Sequence, residues 1–371
     1  MSKPSIASSD RNMATGAISD NGLKYYNIAE PPFKVAGLPF FYIDGVFRRL
    51  PANPVPAAPN EGVEHLSWHT AGAQLRFRSN SSRVTVKVES RFDELMDHMP
   101  QTGICGCDLY YALPGEPLRF WGVSRYGVGE LKYETELFNC MNTAPVMREF
   151  VIHFPLYNGV KSFEVGLDEN AEIEPPSAWS KTGAIIWYGT SIQQGGCANR
   201  TGMASTNILS RKLNMEIVNL GFSGSGKGEK EIAELMCQIP DPAMFILDYE
   251  ANAMTLENLS ATLPVLIDIL RKKYPDLPIV VISRIKFSHD QLADLEHDTS
   301  RNSRLGGAEI QRKEVERRRQ NGDANIYFID GGTLLGEDYE ECTVDGIHPT
   351  DLGFYRIAEN LEAPLKKILG L

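Results

Sequence analysis

The chain has 371 residues, 42% hydrophobic and 23% charged, with a formal net charge of −11. That length suggests two domains, and that composition supports packed cores and excludes global disorder. The acidic balance, with a pI near 5.2, argues against non-specific binding of nucleic acid or anionic membrane but not against a neutral sugar, and no apolar run approaches the roughly 18 residues of a membrane span.

The opening stretch MSKPSIASSDRNMATGAISD lacks the apolar segment of a secretory signal. Residues 1–20 are therefore expected to form a flexible arm, and the expected compartment is the cytoplasm. Six cysteines at 105, 107, 140, 197, 237 and 342 then fit a reduced state. Cys105 and Cys107 make only a CxC without a second pair at metal-ligand spacing, which argues against a zinc site.

Residues 21–178 have the grammar of a β-sandwich, jelly-roll-like, with many short strands between Gly- and Pro-rich turns. LRFRSNSSRVTVKVES alternates apolar and polar residues around a polar turn at Ser79–Ser82, the pattern of a hairpin. REFVIHFPLYNGVKSFEVGL repeats it, with Asn158-Gly159 at the turn. PANPVPAAPN reads as a surface connection and ENAEIEPPSAW as the link to the second half, stiffened by Pro175-Pro176. Trp68, Tyr110, Trp121 and Tyr126 could pack in a core or offer faces for stacking on sugar rings.

Residues 179–371 change pattern. Strand-like runs at 184–188, 215–220, 243–248, 278–283 and 325–329 alternate with helical stretches at 203–213, 229–238, 256–273, 304–320 and 350–369. That alternation predicts an α/β unit with a parallel sheet covered on both faces, in which ligands bind at the carboxyl ends of the strands. The charged run RKEVERRR (312–319) reads as a solvated helix face.

At the first of those strand ends stands IIWYGTSIQQGG, residues 185–196. Ser191 could cap the next helix or be a nucleophile on a tight turn; a phosphate loop is excluded because neither GxGxxG nor GxxxxGK[ST] is present. A serine nucleophile needs a histidine base and an orienting carboxylate. Of the seven histidines, at 65, 69, 98, 153, 289, 297 and 348, only His348 lies in a matching context, TVDGIHPTDLGF (343–354). Asp345 stands three residues before it across a glycine, and Thr350 can cap the last helix. Oxyanion donors are offered by NLGFSGSG (219–226), where a glycine lets a backbone N–H approach a ligand, and by Asn252 in LDYEANA (247–253). A plain turn for the first, and a helix cap or Asx turn for Asn252, are the structural alternatives.

The blocks GTS, GFSG, EAN and DGIH together resemble the SGNH (GDSL-like) hydrolases, and GCDLY (106–110) resembles the GxDLY motif of a branch with an N-terminal β domain. Within that branch the chain is similar to the acetyl mannan esterases of carbohydrate esterase family 17. The resemblance implies a flavodoxin-like sheet, Ser191 as nucleophile, His348 as base, Asp345 as its orienting carboxylate, and an oxyanion hole of the Ser191 N–H, Gly224 and Asn252. It implies no cofactor and no metal, and an O-acetylated, mannan-derived oligosaccharide as substrate. Two blocks depart from the family pattern: Gly-Thr-Ser replaces Gly-Asp-Ser, and Glu250-Ala251-Asn252-Ala253 replaces Gly-x-Asn-Asp, so the aim of Asn252 is the point to inspect. The competing readings are a sugar-binding protein without catalysis, an acetyl xylan esterase, and a lipase or thioesterase, although no long apolar lid segment is present. A metal-dependent deacetylase built on His289-Asp290 and His297-Asp298 is a further alternative, but one polar helical stretch could carry both pairs without a ligand role. No nucleic-acid or membrane partner is expected, and a homo-oligomer is compatible with the sequence.

Overall fold

The computed structural model describes residues 22–141, 143–292 and 299–371. The arm expected over 1–20 and His297 lie outside them. The first half contributes strands β1 (Leu23–Asn27), β2 (Lys34–Ala36), β3 (Gln74–Ser79), β4 (Arg83–Ser90), β5 (Asp108–Ala112), β6 (Arg119–Val123), β7 (Lys132–Asn139), β8 (Arg148–His153), β9 (Val160–Asp168) and β10 (Ile173–Glu174). Three short helices interrupt them: α1 (Phe41–Asp44), α2 (Glu61–Leu66) and α3 (Gln101–Ile104). One antiparallel sheet runs β1-β9-β4-β7 and the other β10-β3-β8-β5-β6, with β2 also on β3. Period-2 alternation turns Val84, Val86 and Val88 of β4 into the same core as Leu75 and Phe77 of β3 and Phe150 and Ile152 of β8.

Both expected hairpins are corrected. β3 pairs with β8 and β4 pairs with β7 and β9, so the turn at Ser79–Ser82 crosses from one sheet to the other. The Asn158-Gly159 turn does the same between β8 and β9. Alternation reports that a strand has one buried face; in a sandwich both sheets present that face to the same core, so it does not report the pairing partner.

The second half is the expected α/β unit. Strands β11 (Ala184–Gly189), β12 (Ile217–Gly221), β13 (Pro242–Asp248), β14 (Ile279–Ile282) and β15 (Ile326–Ile329) form a parallel sheet in the flavodoxin-like order β12-β11-β13-β14-β15. The helices are α4 (Ser191–Gln194), α5 (Ser205–Leu213), α6 (Lys230–Met236), α7 (Leu256–Lys273), α8 (Thr299–Gln320) and α9 (Asp351–Leu369). Every residue of β11 is buried, as a central parallel strand requires. Ile185 and Trp187 face the core shared with Leu209 of α5 and Phe354 and Leu361 of α9. Ile186 and Tyr188 face the opposite core, with Leu259, Leu263, Leu266 and Leu270 of α7, a helical stripe. The charged run on α8 is a solvated face, with Arg312 between Glu309 and Glu316 and Arg317 on Glu314.

The sandwich and the α/β unit are joined through buried polar contacts rather than by the link alone. Asp108, fully buried, accepts from His153 Nδ1 at 2.8 Å, Arg200 Nη1 at 2.6 Å and the Gly202 N–H at 2.8 Å. Arg211 completes the cluster, donating to His153 Nε2 at 3.2 Å. That donor leaves Nδ1 as the protonated nitrogen of a neutral His153, in keeping with burial drawing its ring below the usual histidine range. Burial alone would raise the Asp108 carboxyl; the His153 N–H and the two guanidiniums outweigh it and hold it at about 2. Arg49, also fully buried, donates to Asn219 O at 3.0 Å and Gly221 O at 2.6 Å at the end of β12, and to Leu66 O at 2.6 Å in the sandwich half.

Candidate active site

The serine turn is built by its own sequence. Thr190, not Ser191, is the N-cap of α4: its hydroxyl accepts from the Ile192 N–H at 3.2 Å, and Gln193 Oε1 accepts from the Thr190 N–H at 2.8 Å. The threonine at the family's aspartate position thus takes the capping role and leaves the Ser191 hydroxyl unengaged by the backbone. Gln193 also donates to Asp248 Oδ2 at 2.6 Å, tying the turn to the end of β13. Two glycines are required by geometry. A Cβ on Gly189 would stand 2.4 Å from Gln193 Oε1, breaking the cap. Gly195 ends the single helical turn at φ 103°, a left-handed value that a side chain resists.

Ser191 is 8% exposed, and its Oγ lies 2.8 Å from His348 Nε2. His348 Nδ1 lies 2.7 Å from Asp345 Oδ2, so Nδ1 carries the proton and Nε2 presents a lone pair to the serine hydroxyl. The other oxygen, Asp345 Oδ1, accepts from the backbone N–H groups of His348 at 2.7 Å and Ile347 at 3.0 Å. Partial burial would raise this carboxyl, but the hydrogen bonds from His348 and Ile347 outweigh it and bring it down to about 2. The loop closes on itself: the Val344 N–H donates to His348 O at 2.8 Å, and Thr350 caps α9 through the Gly353 N–H at 3.4 Å.

Gly224 and Asn252 stand on the loops after β12 and β13, the two strands that flank β11. The Gly224 loop is fixed to the serine strand by the Phe222 N–H on Gly189 O at 3.1 Å. Gly224 is exposed at φ 63° with open space where a Cβ would stand. Among the described residues, neither its N–H nor that of Ser191 has an intramolecular partner. Asn252 ends a single 3₁₀ turn, and one N–H of its amide donates to Phe222 O at 3.2 Å, leaving the second for a ligand. The altered third block is accounted for next to it. Glu250 is 9% exposed, and its Oε2 accepts from the Arg284 N–H at 2.8 Å and Gln311 Nε2 at 2.6 Å. Burial pushes its carboxyl up to about 7 against those donors. Asn252 is therefore aimed by Phe222 O, and Glu250 pins its turn to the segment after β14 and to α8.

The sandwich half reaches this site, through residues that the sequence did not single out. Tyr157 donates to Ser191 O at 3.2 Å from beneath α4. Gln194 accepts from the Ser223 N–H at 3.1 Å and donates to Leu156 O and His69 Nδ1, both at 3.2 Å. Asn60 donates to Ser225 O at 3.2 Å. Beside that contact opens a groove of about 730 Å³ whose lining includes Asn60, His65, Trp68, Arg91 and Phe92. Of the other aromatics considered, Tyr110 is buried beneath Arg200 and Arg211, Tyr126 stacks on Tyr133, and Trp121 is 43% exposed against Tyr111 and Phe138. Tyr157 and Asn60 carry no motif; only their place in the fold marks them.

Two side-chain groups among the described residues have the composition of a metal set: His98, Cys197 and His348, and His65, His69 and Glu94. In the second, Gln194 donates to His69 Nδ1, so Nε2 of the neutral ring carries the proton and is no ligand. His289 and Asp290 do not form such a set; Asp290 is paired with Arg284 at 2.9 Å.

Residues 182–366 match the model of the GDSL-like lipase/acylhydrolase family, and residues 23–173 match that of the GxDLY N-terminus of SGNH-hydrolase-type esterases. No curated protein matches the chain. Among solved structures, a protein described as a GDSL-like lipase from Bacteroides ovatus ATCC 8483 is 30% identical, with a TM-score of 0.83 over 94% of this chain and 98% of its own. The salicylyl-acyltransferase SsfX3 of a tetracycline biosynthetic pathway is 20% identical, with a TM-score of 0.73 over 95% and 99%. A family two carbohydrate esterase from Cellvibrio japonicus is 13% identical, with a TM-score of 0.55 over 94% and 98%. The last two likenesses concern the fold, which in all three spans both halves of the chain. Two matched models covering both halves, and a relative similar over nearly its whole length, lead to one conclusion: the chain belongs to the GDSL-like lipase/acylhydrolase family of SGNH hydrolases, as an esterase or acylhydrolase preceded by a GxDLY β-sandwich.

Proposed function

We propose that the protein is a serine esterase that removes O-acetyl groups from oligosaccharides, mannan-derived ones foremost, through an acyl-enzyme. The observation that carries the reading is the unbroken hydrogen-bond path from Ser191 Oγ through His348 to Asp345, beside two backbone N–H groups without internal partners. Ser191 attacks the ester carbonyl as His348 Nε2 takes its proton. Asp345, ionised above about pH 2, faces the imidazolium that forms. The oxyanion is held by the N–H groups of Ser191 and Gly224 and by the Asn252 amide. His348 returns the proton to the departing sugar hydroxyl, then activates a water that releases acetate and restores the serine.

The preference for carbohydrate is supported by the motif resemblance to acetyl mannan esterases and by an open groove beside the Gly224 loop, where Trp68 and Phe92 stand with Glu61, Glu64 and Arg91, which suits a hydroxylated chain better than an enclosed apolar acyl tunnel. Mass spectrometry of acetylated glucomannan, xylan and chitin oligosaccharides before and after treatment tests it. Glucomannan fragments should lose acetyl groups fastest. Fragments that keep every acetyl group, under an enzyme that still cleaves an aryl acetate, would overturn the sugar assignment.

A further inference from the structure

We propose that His98, Cys197 and His348 form a binding site for a soft divalent cation of the zinc class, and that its occupation switches the esterase off. The inhibitory consequence rests on the serine-esterase reading above; the site itself does not.

The three residues come from separate segments: the loop before α3, the turn after α4 and the loop before α9. The fold nevertheless brings one ligand atom of each to within 4.8 Å of the other two. Around a tetrahedral zinc ion, with bonds of about 2.0–2.3 Å, such atoms stand about 3.4–3.8 Å apart. Closing the set takes a shift of about 1 Å, and His98, whose ring is exposed and 6.0 Å from that of His348, is free to make it.

The protonation states suit a cation. His348 gives its Nδ1–H to Asp345, which leaves the Nε2 lone pair outward. His98 Nδ1 lies 3.1 Å from the Asp97 carboxylate, and its exposed ring can turn a nitrogen to a ligand. A histidine whose second nitrogen is held by a carboxylate, as His348 is by Asp345, is the usual arrangement around protein-bound zinc. The third donor is a thiol, and a set of two imidazoles and one thiolate, with water in the fourth position, is a composition zinc accepts. The Asp345 and Asp97 carboxylates beside the set favour a positive ion there.

Binding is written as the divalent ion plus the neutral thiol giving the metal thiolate and one proton to solvent, with both imidazoles donating lone pairs and no redox change. Its consequence is competitive at one atom. His348 Nε2 cannot hold the cation and accept the Ser191 proton at once, so the 2.8 Å bond between them is lost and the serine has no base.

The test has two arms, both on the full-length protein after chelation and removal of the chelator. In the first, Co²⁺ is added to Ser191→Ala, which needs no activity. A thiolate-to-cobalt charge-transfer band should saturate at one ion per chain and vanish in Ser191→Ala/Cys197→Ser. Absence of the band, or its persistence in the double variant, overturns the site. In the second, zinc is titrated against aryl acetate hydrolysis by wild type, His98→Gln and Cys197→Ser. The half-inhibitory zinc concentration should rise at least about tenfold in each variant, at unchanged rate in chelated samples for the exposed His98→Gln. Equal inhibition of all three proteins, or activation by zinc, overturns the switch. A cobalt band on a chain whose wild type hydrolyses no ester would instead keep the site and fail the esterase reading.

Discussion

In the proposed mechanism Ser191 and His348 share one proton, so they should fail as a unit. Ser191→Ala and His348→Ala should each lower kcat for an aryl acetate by up to about 10⁶, and the double variant should be hardly worse. Asp345→Asn should retain more activity, because the base remains while its orientation and the charge facing it are lost. Additive losses in the double variant would contradict a shared step. In the proposed oxyanion hole Asn252 is one donor of three, and with its amide already held by Phe222 O, Asn252→Ala should cost about 10² in kcat, the low end for such a donor; a rise in KM at unchanged kcat would assign it to ground-state binding instead. Glu250 supplies a pH signature of the fold. Its carboxyl is raised from 4.5 to about 7 by burial, so the folded state favours the protonated form. The stability this gives is complete below pH 4.5 and is lost as pH rises to about 7. Glu250→Gln should therefore gain on wild type across that window, by at most roughly 3 kcal/mol, and show a constant difference above it. Denaturant unfolding of both proteins at pH 4.5 and 8 measures the gap; a pH-independent gap would rule the buried charge out.

At the scale of elements, each loop of the candidate site is tied to a neighbour. The serine turn is closed by Thr190 and Gln193 and bound to Asp248, and the Gly224 loop hangs from Gly189 O and Gln194. The segment that leaves the serine turn, residues 198–203, is held by the sandwich through Arg200 and the Gly202 N–H on Asp108. The aspartate of GCDLY thereby acquires a physical role, as the buried anion that latches the two halves beside the Ser191 turn. Asp108→Asn keeps the volume but leaves Arg200 and Arg211 without a buried counter-charge. A loss of about 3–5 kcal/mol in unfolding free energy is expected, with a lower midpoint in urea at an unchanged slope. A cost under about 1 kcal/mol, the scale of an exposed ion pair, would show that the latch is not closed in solution.

For the molecule as a whole, the sandwich is part of the site rather than a tethered module. It supplies Tyr157 beneath Ser191 O, His69 against Gln194, Asn60 against the Gly224 loop, and the wall of the adjoining groove. Of the residues lining that groove, Trp68 and Phe92 are half-buried aromatics that reach it without touching the serine. Phe92→Ala and Trp68→Ala should each raise KM for acetylated oligosaccharides about tenfold, the scale of losing roughly 1–3 kcal/mol of contact, and leave aryl acetate kinetics unchanged. Point variants are needed, because removing the sandwich would bare the apolar and polar seam around Arg49 and Asp108. If both substrates change together in every variant, or neither changes in any, the groove is no sugar subsite.

The sequence alone determined what local pattern can determine. The alternation of apolar runs and helical stripes after Trp179 dictates a parallel sheet. The position of Ser191, Gly224 and Asn252 just past strand ends, and of His348 between the last strand and the last helix, places them on one edge of it, because every strand of such a sheet points the same way. The Asp345–His348 spacing confines both side chains to one tight turn. Tertiary structure decided everything that depends on which faces meet. It made cross-sheet turns of two apparent hairpins, since a sandwich strand shows the same alternation whichever neighbour it pairs with. It gave the cap to Thr190 and not Ser191, since either hydroxyl could cap from sequence and only backbone direction distinguishes them. It set Tyr157 beneath Ser191, His98 beside His348 and Asn60 against the Gly224 loop from far along the chain, contacts that no local pattern encodes because they are fixed by the packing of one half of the molecule against the other.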